Sequence, residues 1–192
     1  MRSLTNAPWL SPEQYLDGER LADIKSEYFD GNVYAMAGAS EKHVSICTNL
    51  IVEAGGRLRE KSRCKIYGSD MKVWIPATRS FVYPDLSVAC GPPKMRDEHR
   101  DVLENPIAIF EVLSPSTEKY DRTLKFDGYC AIPGFQQYVL ISQEQARVEV
   151  FTRHPQQGLW AFTRATGLES MVDFTTLEIS IPLASIYDRI EF

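Results

Sequence analysis

The run Tyr83-Pro84-Asp85-Leu86-Ser87-Val88-Ala89, with its counterpart Ile107-Ala108-Ile109-Phe110-Glu111-Val112-Leu113-Ser114-Pro115, decides how this chain is read. Each is an apolar run with one carboxylate set into it. Short apolar runs bounded by turn residues read as strands of a buried sheet. A buried, unpaired carboxylate is costly or takes up a proton. Two such strands are expected to share something positive, and a divalent cation with oxygen ligands is the economical candidate. Two local alternatives stand beside it. Asp85 can cap a turn after Pro84, and Glu111 can pair with an arginine across the sheet.

The pattern extends outward from these runs. Lys65 to Pro76 predicts a strand in which Met71, Val73 and Ile75 alternate with Lys72 and Trp74. The Asp85 strand is expected over Phe81 to Cys90 and the Glu111 strand over Pro106 to Leu113. Ser40 opens the longest helix, where Val44, Cys47, Leu50, Ile51, Ala54 and Leu58 recur at helical spacing. Gly55-Gly56 is costly in mid-helix and predicts close packing or a break. Ser114 to Thr117 opens a second helix, running to about Ala131 before Pro133-Gly134. Phe135 to Ser142 is a fourth strand. The order from Ser40 is therefore α-β-β-β-α-β, an α/β sheet with helices against it.

Flanking this core, Ser11-Pro12-Glu13-Gln14 carries a helix start with a capping box. Ser26 to Met36 reads as a hairpin turning at Asp30-Gly31. Arg147 to Phe151 and Trp160 to Phe162 read as a peripheral meander, followed by a strand over Leu177 to Ile181 and a terminal helix over Leu183 to Ile190. The expected organisation is one domain over residues 1–192. Its core lies at about 40–142, with an N-terminal arm at 1–39 and accessory strands and a terminal helix at 143–192.

Composition bounds the function. With 192 residues, 44% hydrophobic and 24% charged, the chain has the make-up of a globular protein with a substantial core. No apolar run is long enough to span a bilayer. Met1 to Asn6 lacks the apolar core of a signal peptide, which predicts a cytoplasmic location. Cys47, Cys64, Cys90 and Cys130 form no zinc-type spacing and sit among apolar residues, so buried free thiols are expected. His43, His99 and His154 form no HxxxH or HExxH pattern. A net charge of −5 argues against non-specific nucleic-acid binding through overall charge. It leaves room for local basic clusters at Lys61, Arg63 and Lys65, and at Lys94, Arg96 and Arg100. The second cluster lies in the polar loop Gly91 to Asn105, which is long enough to be functional.

Lys125 completes the constellation, on the helix that follows the Glu111 strand. Its ammonium can stand beside the two carboxylates, or it can form an ordinary i,i+4 salt bridge with Asp121. His43 lies one turn before Cys47 at the edge of the apolar stripe, where a satisfied boundary histidine is the simplest reading.

Taken in order, Glu27-Tyr28-Phe29-Asp30-Gly31, Tyr34-Ala35-Met36-Ala37-Gly38, Gly68-Ser69-Asp70-Met71-Lys72-Val73, Tyr83-Pro84-Asp85-Leu86-Ser87-Val88, Glu111-Val112-Leu113-Ser114-Pro115-Ser116-Thr117, Asp121 and Lys125 resemble a known pattern. It is that of the Uma-type family of putative restriction endonucleases, within the PD-(D/E)XK nuclease superfamily. The resemblance spans residues 12 to 189. It implies a restriction-endonuclease-like αβββαβ core and a magnesium-dependent phosphodiesterase acting on DNA, with Mn²⁺ as a substitute metal. Asp85 and Glu111 match the two acids and Lys125 the relocated lysine, because Leu113 stands where the superfamily normally has it. Asp85, Glu111 and Lys125 are then the implied catalytic residues. Asp85, Glu111 and the Val112 carbonyl are the metal ligands, and Glu27, His43 and Asp121 are accessory. Lys94, Arg96 and Arg100 are the expected nucleic-acid contacts. A symmetric homodimer suits cuts on two antiparallel strands.

Overall fold

The computed structural model describes residues 9–61, 63–154, 156 and 158–192. The readings of Met1 to Asn6 and of the Lys61 side chain lie outside the described residues. The fold is mixed α/β with two mixed sheets.

Helix α1 (Pro12–Glu19) starts as its sequence dictates. The Gln14 N–H donates to Ser11 Oγ at 3.2 Å, and the Ser11 N–H donates to Gln14 Oε1 at 2.9 Å. Strands β1 (Ser26–Phe29) and β2 (Asn32–Ala35) form the hairpin, with Asp30 and Gly31 at φ +38° and +96° in its turn. Helix α2 (Glu41–Lys61) begins at Ser40, whose Oγ accepts the His43 N–H at 3.1 Å. It runs unbroken through Gly55-Gly56, so the expected break does not occur. Gly55 lies close to Ile66, with room for contact and no clash.

The strand expected over Lys65 to Pro76 is two strands, β3 (Cys64–Gly68) and β4 (Lys72–Ile75). The one expected over Phe81 to Cys90 is also two, β5 (Ser80–Val82) and β6 (Leu86–Cys90). In each case the chain leaves one sheet and enters the other at a break: Ser69 to Met71 in the first, Tyr83 to Asp85 in the second. Asp85 therefore lies in a bend and not inside a strand. Pro84, which cannot donate to a ladder, suits that break. The Gly91 to Asn105 loop also contains structure, β7 (Val102–Leu103) paired in parallel with β4. Then follow β8 (Ala108–Val112), β9 (Gln137–Ile141), β10 (Arg147–Arg153) and β11 (Trp160–Thr166).

One sheet has the order β11-β10-β9-β8-β6-β3 and the other β2-β1-β5-β4-β7. The hairpin expected as part of an arm is thus built into the second sheet, and the expected peripheral meander is part of the first. A hairpin of β12 (Met171–Phe174) and β13 (Ile179–Pro182) leads into a short α5 (Leu183–Ile186), which ends earlier than expected.

The helix predicted over Ser114 to Ala131 is irregular. A turn of α-helix, α3 (Glu118–Tyr120), passes into a π-helical turn over Asp121–Lys125 and returns to α-helix in α4 (Phe126–Cys130). Two cores flank the six-stranded sheet. Leu86, Val88, Phe110 and Val112 face α2, β12, β13 and α5. Ile109, Leu113, Tyr138 and Leu140 face the other sheet and the helical segment around Tyr129. Cys64 and Cys90, expected as free thiols, are register partners in β3 and β6 and form a disulfide. Cys47 and Cys130 are free. Among the described residues no helix is long and apolar enough to cross a membrane.

Candidate active site

Alternation along β8 sets the site. Phe110 and Val112 point into one core and Ile109 and Leu113 into the other, which puts Glu111 in the second row as its one acidic member. β8 is flanked by β6 and β9, so Glu111 is 4% exposed. The π-helical turn faces it. Asp121 and Lys125, at its two ends, are both buried. The Tyr138 hydroxyl donates to the Asp121 carbonyl at 2.9 Å and ties the turn to β9. Inserted π turns of this type are found often at functional sites. Glu27 arrives from β1, which pairs with β5, and Glu27 Oε1 accepts the Tyr83 N–H at 3.1 Å.

The four groups meet at one point. Lys125 Nζ lies 3.1 Å from Glu111 Oε1, 3.3 Å from Glu27 Oε1 and 3.5 Å from Asp121 Oδ1. The Tyr129 hydroxyl donates to Glu111 Oε1 at 3.0 Å. Lys125 is therefore no surface partner of Asp121 alone, as the i,i+4 alternative had it. Three carboxylates surround one ammonium, all buried. Among the described residues Glu27 Oε2 and Asp121 Oδ1 have no hydrogen-bond partner, and the Asp121 contact with Nζ reaches only ion-pair distance.

Electrostatics follow from that imbalance. Burial lifts Glu111 well above the ordinary carboxylate range. Lys125 opposes the rise, and the charges of Asp121, Asp85 and Glu27 add to it. Burial also raises Glu27 and Asp121 against the pull of Lys125. Burial alone would lower Lys125, but Glu111, Glu27 and Asp121 outweigh it and hold the ammonium well above an ordinary lysine.

Asp85 stands beside this cluster, held from the α2 side. Its Oδ2 accepts the Val112 N–H at 2.7 Å, and its Oδ1 lies 2.8 Å from His43 Nε2. His43 is thus bonded to the candidate acid and is more than a boundary residue. Val112, expected through its carbonyl, contributes its N–H to Asp85. His43, Cys47 and Asp85 each offer a ligand atom within 4.8 Å of the other two. Burial, with Asp85 and Glu111 nearby, pushes the Cys47 thiol upward, so it stays protonated unless a cation displaces the proton.

The basic loop is held by acids of its own and of α1. Lys94 pairs with Glu104 at 2.9 Å. Arg96 reaches Glu13 and Glu104 at 3.5 Å each and lies 4.5 Å over the Trp74 ring. Arg100 is exposed, in a left-handed backbone conformation at φ +55°. Sequence reading missed Tyr129, whose signal is its place one helical turn after Lys125. It also missed Tyr138 and Gln143, which no local pattern marks.

Comparisons agree with this architecture. The family model Uma2, described as "Putative restriction endonuclease", matches residues 12–184. Two Synechocystis sp. (strain ATCC 27184 / PCC 6803 / Kazusa) proteins are similar along most of their length. Uncharacterized protein slr1290 is 34% identical over 185 residues, covering 96% of this chain and 95% of that protein. Uncharacterized protein sll1609 is 35% identical over 174 residues, covering 88% and 95%. A crystal structure from Anabaena variabilis, described as a putative nuclease belonging to DUF820, superposes with a TM-score of 0.72. It is 17% identical and covers 92% of this chain and 97% of that one, a likeness of fold. With its sequence matched from α1 to α5, the chain belongs to the Uma2 family.

Proposed function

We propose that the protein is a divalent-cation-dependent endonuclease hydrolysing phosphodiester bonds in DNA, with Asp85, Glu111 and Lys125 as its working set. The observation that carries this reading is the surplus of buried carboxylate at one point. Glu27, Glu111 and Asp121 crowd Lys125, Asp85 lies alongside, and two of the carboxylate oxygens accept no hydrogen bond among the described residues. The α-β-β-β-α-β order of α2, β3, β6, β8, the α3-to-α4 segment and β9 supports it, because a restriction-endonuclease-like core has that order.

An all-oxygen donor set suits Mg²⁺, with Mn²⁺ as a substitute. Asp85, Glu111 and the Val112 carbonyl would hold the ion, with Glu27 and Asp121 as further acids. Bound there, a cation supplies charge at the scissile phosphate and a more acidic water. The residues of the chain do the rest. Lys125 presents a fixed ammonium that offsets charge developing on the phosphate oxygens. Tyr129 and Tyr83 orient Glu111 and Glu27 through the bonds described above. The two N–H donors on Asp85 hold its carboxylate in one orientation while each oxygen keeps a free lone pair. Two copies related by a two-fold axis would let one assembly cut both strands.

The test is cleavage of plasmid DNA by the full chain with Mg²⁺, with Mn²⁺ and with chelator, beside Glu111→Gln. Metal-dependent nicking that Glu111→Gln abolishes supports the proposal. No cleavage of plasmid or branched DNA, with no magnesium binding by calorimetry, rejects it. One observation favours a second reading. Glu27, Glu111, Asp121 and Lys125 are each at most 6% exposed, which suits a silent salt-bridge hub that keeps the fold without turnover. Magnesium binding by the parent chain counts against that reading.

A further inference from the structure

We infer that Gln143, acting through His43, is a positioning device that fixes the Asp85 carboxylate for its cation, and that His43 is an N–H donor and not a metal ligand. This role rests on the metal-site reading above.

A chain of bonds carries the inference. Gln143 Nε2 donates to the Leu113 carbonyl at 2.7 Å. That carbonyl can only accept, so the Gln143 amide must turn its NH₂ toward it. Ser40 Oγ donates to Gln143 Oε1 at 2.9 Å, which agrees with the same orientation. The second hydrogen on Nε2 then faces His43 Nδ1 at 3.3 Å. Nδ1 must accept, so the ring proton sits on Nε2 and points to Asp85 Oδ1 at 2.8 Å. A metal ion on Nε2 would need that proton on Nδ1, where it would meet the Gln143 amide hydrogen. The His43, Cys47 and Asp85 trio therefore has the spacing of a metal site but the wrong proton arrangement for one.

The physical use of the relay lies in where its ends are anchored. Leu113 follows Glu111 by two positions at the end of β8, and the Val112 N–H between them holds the other oxygen of Asp85. Asp85 lies in a bend between two sheets, where no strand ladder fixes it. The two N–H donors supply that constraint and reference it to the strand that carries Glu111. Partners of this type set the orientation of metal-ligating carboxylates, and their loss commonly costs about 10–100-fold in metal affinity.

The experiment uses the full chain, with Mg²⁺ affinity by calorimetry and the His43 ring state by ¹H–¹⁵N spectroscopy, assigned by its loss in His43→Gln. The His43 ring proton is expected on Nε2, facing Asp85, both without metal and with Mg²⁺. His43→Leu should weaken Mg²⁺ binding by about tenfold or more. His43→Gln, which keeps an N–H near Asp85, should recover most of it, and Gln143→Leu should weaken binding several-fold. A proton on Nδ1, or equal losses in His43→Gln and His43→Leu, would remove the N–H donor role of His43 and overturn the inference. So would affinity unchanged in His43→Leu. If His43→Leu fails to fold, the ring state and Gln143→Leu decide. A parent chain that binds no divalent ion removes the metal-site reading and this role with it, an outcome distinct from binding that ignores the relay.

Discussion

At the scale of single residues, the site is defined by excess negative charge. Lys125→Met would leave Glu27, Glu111 and Asp121 buried without a cation. Such a loss should destabilise the metal-free protein by about 3–5 kcal/mol near neutral pH, read from urea unfolding. Glu111→Gln acts the other way. It removes one of three carboxylates yet leaves Lys125 with Glu27 and Asp121, so metal-free melting should rise or hold while divalent affinity collapses. A marked fall in melting temperature would identify Glu111 as a structural ion-pair partner. The same imbalance sets the pH dependence. Glu27, Glu111 and Asp121 are all raised in the folded chain, so the folded state binds more protons than the unfolded one. Their contribution is fully present below their unfolded values and is lost as pH rises through their folded ones. Metal-free melting should therefore climb as pH falls from neutral toward the ordinary carboxylate range. At lower pH, Asp101 and Asp97, held down chiefly by Arg20, begin to lose their ion pairs and reverse the trend. Saturating Mg²⁺ should flatten the slope between those limits. A melting temperature that falls on mild acidification without metal would contradict the buried-charge account.

At the scale of elements, the π-helical turn between α3 and α4 holds Asp121 and Lys125 toward β8. Tyr138→Phe deletes the hydroxyl that donates to the Asp121 carbonyl and leaves that buried acceptor short of a partner. A cost of about 1–3 kcal/mol is expected in urea unfolding, with weakened divalent binding as the turn loosens. A loss of stability without a change in binding would show that the turn is held by other contacts. The same scale explains what the sequence made legible. Hydrophobic period placed α2, β8 and β9, and the capping box and Asp30-Gly31 turn placed α1 and the first hairpin, because each signal is local. The splitting of two apolar runs between two sheets was not legible. β3 and β4, like β5 and β6, follow one another within a single short stretch, and only tertiary pairing decides which sheet each half joins. Asp85, Glu111 and Lys125 were legible as acids in apolar runs and a lysine on the next helix. The Gln143–His43 relay was not, because it joins residues 100 positions apart through a bond that no periodicity records.

At the scale of the whole molecule, the Cys64–Cys90 disulfide and the charge distribution set the remaining expectations. The bridge joins edge strand β3 to β6 across 26 residues of chain. Its reduction should cost about 3.5 kcal/mol by loop-closure entropy, read as a fall in the urea midpoint with reductant. A reducing cytoplasm keeps such pairs open, so this bond and the cytoplasmic expectation pull in different directions. Charge bears on nucleic acid. With a net charge of −5, any DNA affinity has to come from a local surface. In the Gly91 to Asn105 loop, Lys94 has a side chain 71% exposed and paired only at its tip with Glu104, whereas Arg96 packs over Trp74 between Glu13 and Glu104. The two basic residues should therefore respond differently to charge reversal. Arg96→Glu should lower the melting temperature, because it places a carboxylate beside two others and removes the cation over Trp74. Lys94→Glu and Arg100→Glu should leave melting nearly unchanged. If the loop meets the phosphate backbone, each should weaken DNA binding at every sequence tested and reduce the slope of log K against log salt by about one. Binding measured by fluorescence anisotropy across a salt series decides the matter. A slope unaffected by both changes would remove the loop from the DNA surface while leaving the carboxylate site untouched.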